Sequence, residues 1–165
     1  MFETVLKENG KSADLEQMMA TKRRLFHEAL EAGVNEVEGA VDLIRELHDR
    51  HVPLAVASSS NREWVEKILA SLGVLGRFGA TVAGNEVLHG KPAPDIFLRA
   101  AELLKVPPEV CIVVEDGVSG VFGAQKAGMK VIGFGTAVRG LADYTSDSVE
   151  EVRTLLFNLL KSHNL

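Results

Sequence analysis

Cys111-Ile112-Val113-Val114 runs straight into two adjacent carboxylates, Glu115 and Asp116, and then into Gly117-Val118-Ser119-Gly120 and a small-residue helical pattern ending at Gly128. A continuous apolar run of this length is how a strand buried on both faces is written, the kind that builds parallel sheets. A helix pattern directly behind it makes the pair a strand–helix unit of an α/β fold. Acid groups at the C-terminal end of such a strand stand where open α/β sheets bind ligands and do chemistry.

The same grammar extends back to Val52. Pro53 to Ala57 is a strand candidate ending in Ser58-Ser59-Ser60-Asn61, and Trp64, Val65, Ile68, Leu69 and Leu72 mark a helix that stops at Gly73. Ala80 to Ala83 is a weaker strand, and His89 to Asp95 is a loop because two prolines exclude regular pairing. Ile96 to Leu104 is helical, Ser119 to Gly128 helical, Val131 to Phe134 a strand, and Val149 to Leu160 an amphipathic helix. Strands alternating with helices predict a Rossmann-like parallel sheet flanked by helices, with the strand C-termini on one side.

Residues before Val52 contain no strand candidate. Val5 and Leu6 suggest a short helix stopped by Asn9-Gly10, and Ser12 or Asp14 caps a longer one. That helix carries Leu15, Met18, Met19, Leu25, Phe26, Ala29 and Leu30 and ends near Gly33, while Ala40, Leu43, Ile44 and Leu47 mark another. The expected division is a partial helical cap over residues 1–36 and an α/β core over residues 37–165.

Bulk properties narrow the function. A net charge of −5 argues against nucleic acid, which calls for a basic stripe. No apolar run is long enough to span a bilayer, and the N-terminus lacks the pattern of a signal peptide. The single cysteine, Cys111, excludes an internal disulfide framework and reads as a small core residue in a reducing compartment, so the expected location is cytoplasmic.

Four positions at the predicted sheet edge carry chemistry. The Ser58 hydroxyl and nearby backbone N–H groups suit a phosphate oxygen, although a serine here also suits a helix cap. Lys91, held in Gly90-Lys91-Pro92-Ala93-Pro94-Asp95, is a positioned point charge for a phosphate or a carboxylate, or else a solvated surface lysine. Glu115 and Asp116 are hard oxygen donors of the kind magnesium takes with waters and a substrate phosphate, while one of them can instead serve a helix N-terminus. The five histidines have no ligand-like spacing, and the dinucleotide fingerprint, P-loop and Gly-x-Ser-x-Gly elbow are absent.

Taken in order, Leu54 to Ser60, Gly90 to Asp95, and Val113 to Gly120 followed by Ala124 and Ala127-Gly128-Met129 resemble three motifs of the haloacid dehalogenase-like superfamily, in the β-phosphoglucomutase-like branch with a helical cap. Gly117 departs from the serine usual at its position. The resemblance covers roughly residues 15–150. It implies phosphate binding by Ser58, Ser59 and Lys91, a catalytic role for Lys91, and Mg²⁺ held by Glu115 and Asp116. It implies a phosphatase or phosphomutase acting on a small phosphorylated metabolite.

The family's Asp-x-Asp motif, which supplies the nucleophile and the general acid/base, occurs nowhere in these 165 residues. In the family it ends a first strand lying between those that end here at Ser58 and Glu115. The expectation is therefore a sheet lacking that strand, a magnesium site that is weak or absent, and a chain that is weakly active or inactive. The alternative expectation is a non-catalytic truncated module that self-associates or pairs with a complementing N-terminal fragment.

Overall fold

The computed structural model describes residues 15–162. The predicted short helix around Val5 and the caps at Ser12 and Asp14 lie outside them. The chain divides into two compact units, the first ending at Asn35 and the second running from Glu36. In the first, helix α1 (Leu15–Glu31) follows the expected apolar spacing, yet most of its described side chains stay exposed, with Phe26 and Leu30 half-buried. Gly33 follows it at φ +103°, a conformation that suits glycine.

The second unit is an α/β domain. Its elements are α2 (Ala40–Asp49), β1 (Ala55–Ser58), α3 (Arg62–Ser71), β2 (Ala80–Ala83), α4 (Asp95–Leu104), β3 (Ile112–Glu115), α5 (Val118–Lys126), β4 (Lys130–Phe134), β5 (Tyr144–Ser146) and α6 (Val149–Ser162). β1 begins two residues later than the apolar run suggests. Pro53 supplies no ladder N–H, so regular pairing starts beyond it. β5 was not expected, since Tyr144-Thr145-Ser146 is short, polar and without an apolar run, as edge strands often are.

All strand pairing is parallel, as the alternation of strands and helices predicts. The pairing falls into two pieces, a β2–β1 ribbon and a three-stranded β3–β4–β5 sheet. β1 and β3 each pair along one edge. Helices cover both sides. Phe97, Ala100 and Ala101 of α4 pack with Val121 and Ala124 of α5 and with Val82 and Val131, while Leu43 and Leu47 of α2 pack with Val152 and Leu156 of α6 and with Ile132. A third cluster joins Val41 to Val65, Leu69 and Val74 on the β1 side. Among the described residues, no helix is long and apolar enough to cross a membrane.

Candidate phosphate and metal site

The C-terminal ends of β1 and β3 are tied together by one side chain. Lys91 Nζ donates to Glu115 Oε2 at 2.6 Å and to the Ala57 carbonyl at 3.2 Å. Both members of the ion pair are nearly out of water, with Lys91 at 10% and Glu115 at 12% side-chain exposure. Such a pair holds its geometry because leaving either charge alone in that surrounding is costly. The Lys91 ammonium also lies 4.9 Å from the centre of the Phe97 ring, which offers it the electron-rich face. The loop that delivers Lys91 is fixed by two prolines, with the Lys91–Pro92 bond cis, and by Asp95, which accepts from the His89 backbone and pairs with its ring. The His89 contact holds the Asp95 carboxyl below its usual range.

Glu115 is held from the other side as well. Its Oε1 accepts the Gly117 N–H at 3.1 Å, and its carboxyl lies flat against Gly120, where a Cβ would fall 2.0 Å from Glu115 Cδ. Glycine at 120 is thus required by close approach. Asp116, one residue on, is exposed and precedes the N-terminus of α5, where unpaired N–H groups favour negative charge.

Ser58 is not the cap of α3. That place belongs to Asn61, whose carbonyl takes the Trp64 and Val65 N–H groups. The Ser58 Oγ instead accepts the Ser60 N–H at 3.2 Å, which bends the loop at the strand end and leaves the hydroxyl proton directed elsewhere. Ser59 is exposed beside it.

A second clamp under this loop escaped the sequence reading. Arg62 forms a forked ion pair with Glu86, bonds Glu66 at 3.0 Å and donates to the Thr81 carbonyl at 2.6 Å. Its backbone N–H reaches Asn85 Oδ1 at 3.2 Å. Gly84 comes so close to the serine loop that a Cβ there would sit 2.4 Å from the Ser59 carbonyl oxygen. Arg62, helped by the Ala83 N–H, keeps the Glu86 carboxyl below its usual range. The signal was available in Gly84-Asn85-Glu86, which follows a strand whose end must fall at the same sheet edge.

The edge thus brings together Lys91, Glu115 and the end of β1 at Ser58, with Asp116 open to solvent alongside. Magnesium is served by one or two carboxylates plus water and phosphate oxygens, which Asp116 and Glu115 can provide. Glu115 is already committed to Lys91, and no group of three potential metal ligands occurs among the described residues.

The chain has recognisable relatives among known proteins. The family description "haloacid dehalogenase-like hydrolase" matches residues 3–128. A bifunctional riboflavin kinase/FMN phosphatase of Arabidopsis thaliana is 42% identical over 124 residues, covering 74% of this chain and 32% of its own length. A probable pseudouridine-5'-phosphatase of Drosophila melanogaster is 40% identical over 119 residues, covering 68% and 52%. The chain therefore spans about a third of the first relative and half of the second. In fold it resembles a β-phosphoglucomutase from Clostridium difficile, with TM-score 0.81 and 22% identity over 98% of this chain and 76% of that one.

Proposed function

Because this chain belongs to the haloacid dehalogenase-like hydrolases, we propose that its sheet edge is the phosphate-binding and metal-binding half of a site acting on a small phosphorylated metabolite. The observation that carries the reading is Lys91, drawn out of solvent and held between the ends of β1 and β3 by Glu115 and the Ala57 carbonyl. The relatives named as phosphatases of FMN and of pseudouridine 5'-phosphate support a phosphate monoester as the substrate class.

The chemistry follows from the donors. An ammonium has three N–H donors, and two of Lys91's are taken. The third is left for a phosphate oxygen. Ser58, whose Oγ already accepts from Ser60, has its hydroxyl proton to give to another, and the exposed Ser59 adds backbone and hydroxyl donors. Asp116, with Glu115 behind it, would hold Mg²⁺, which when bound neutralises phosphate charge. Glu115 positions Lys91 rather than touching the substrate. These 165 residues contain no Asp-x-Asp, and none of the described groups at the edge is placed as a nucleophile. We therefore read the chain by itself as binding phosphate without turning it over.

Titration calorimetry with inorganic phosphate tests this. Saturable binding strengthened by Mg²⁺ and lost in Lys91→Ala and Ser58→Ala is expected, with hydrolysis of p-nitrophenyl phosphate close to the buffer rate. Absent binding, or binding untouched by both substitutions in a folded protein, would overturn it.

A further inference from the structure

The end of β2 and the turn behind it run alongside the serine loop residue by residue. Ser58 stands opposite Ala83 in the parallel ladder. The Gly84 N–H donates to the Ser60 carbonyl at 2.9 Å, and Asn85 Oδ1 accepts the Arg62 N–H at 3.2 Å. Glu86 takes the Arg62 guanidinium in a fork and the Ala83 N–H at 2.9 Å. Consecutive residues 83 to 86 therefore hold 58, 60 and 62, and residues 59–61 are all that connect β1 to α3.

These contacts decide which way the peptide groups of the loop face. Across a trans peptide the C=O and the following N–H point in opposite directions, and the loop has no cis bond. The Ser59 carbonyl lies against Gly84, too close for any Cβ there, and the Ser60 carbonyl accepts from the same glycine. The Ser60 and Asn61 N–H groups therefore face away from the turn. The first of them reaches Ser58 Oγ at 3.2 Å, which occupies that oxygen as an acceptor and leaves its proton for a phosphate oxygen. With the Ser59–Ser60 peptide turned over, the Ser58 hydroxyl would lose what orients it.

The loop's own residues enforce little of this. Ser59, Ser60 and Asn61 are short and polar, a composition compatible with several turns, and the Asn61 side chain makes no capping bond. Arg62 supplies the restraint. Besides Glu86 it bonds Glu66 of its own helix at 3.0 Å and the Thr81 carbonyl of β2 at 2.6 Å, which pins the first residue of α3 to β2. A planar guanidinium with several fixed donors can make all these bonds at once, whereas a point charge cannot.

We propose that Arg62, seated on the Gly84-Asn85-Glu86 turn, is a positioning residue for phosphate: it fixes the 59–61 backbone and, through the Ser60 N–H, aims the Ser58 hydroxyl. The ligand named here rests on the phosphate reading of the site, whereas the holding of the loop does not. Each half of the edge then has its own support, Glu115 behind Lys91 and Glu86 behind Arg62.

The test uses the full chain and three measurements: amide exchange without ligand, calorimetry with inorganic phosphate and Mg²⁺, and the urea midpoint. Arg62→Met keeps the apolar stem and removes the fork. It should speed exchange of the Ser60 and Gly84 amides at least about tenfold, leave the 130–134 amides unchanged, and weaken phosphate about five- to tenfold. Asn85→Leu should show a smaller loss in the same direction, which Asn85→Asp, keeping the accepting oxygen, recovers. A lower urea midpoint with exchange and phosphate affinity both unchanged would make Arg62 merely structural and overturn the proposal. So would a loosened loop that binds phosphate as tightly as before, or equal losses in the two Asn85 variants. No phosphate binding by the unaltered chain would overturn the phosphate reading and the ligand named here, while unchanged exchange in Arg62→Met would overturn the positioning role whatever the ligand.

Discussion

β3 and β4 lie side by side and are written alike, Ile-Val-Val-Glu against Lys-Val-Ile-Gly-Phe, yet they live in different surroundings. β4 pairs on both edges, and Val131 and Ile132 are wholly buried. β3 pairs on one edge, has no fully buried residue, and leaves Val114 45% exposed. Composition did not make that difference. A strand with the sequence of an interior strand has the environment of an edge strand, since among the described residues β4 alone pairs with it. Natural edges are blunted by charge, proline or brevity, as β5 is, and β3 carries none of these along its apolar run.

The contrast can be broken most forcefully at Lys91, which bridges the ends of β1 and β3. Removing one member of so buried an ion pair leaves the other charge uncompensated, so Lys91→Met should cost on the order of 3 kcal/mol by urea denaturation. Adding Glu115→Gln to it should recover much of that loss. A cost below about 1 kcal/mol for Lys91→Met would mean that the pair does not hold the halves together.

Equivalent valines give the next largest effect. Val131→Ala in β4 should cost about 2–3 kcal/mol, from lost burial and the cavity left behind, whereas Val114→Ala in β3 should cost less than about 1 kcal/mol. Equal costs would erase the distinction between the strands. Gly120→Ala is expected to cost about 1–3 kcal/mol by driving a Cβ into the Glu115 carboxyl, and to loosen the Lys91 contact as well.

The smallest effect sets the β1–β2 half against the other. Arg62 lowers the pKa of Glu86, so this pair contributes stability above the carboxyl's unfolded pKa and loses it as pH falls through the folded one. Acid should therefore weaken this clamp on the β1–β2 half. Both partners are partly exposed, which keeps the contribution within about 1 kcal/mol, and Arg62→Ala should flatten that acid limb of the stability–pH curve.

Much of this was readable from residue order. The apolar runs at 80–83 and 131–134, the two prolines after Lys91 and the glycines after Glu115 are local signals, and each led to the right element. The resemblance implied by the three motifs matches the family of the chain. What escaped was non-local. β5 is specified by its neighbour β4 rather than by its own pattern, and the Arg62–Glu86 clamp joins positions that only the folded edge brings together. The Lys91–Glu115 bond was allowed for only in general, as a lysine near a carboxylate, because spacing does not say which of Glu115 and Asp116 turns inward. Cys111, read as core, is half-buried, and burial pushes its thiol pKa up.

The most direct test of the unpaired edge of β3 is amide exchange, comparing Val114 with Ile132. The Ile132 N–H belongs to the β3–β4 ladder, whereas the parallel register turns the Val114 N–H away from β4, so Val114 should exchange on the order of 100-fold faster. Equal protection of the two amides would contradict the reading of β3 as an apolar strand with one unpaired edge.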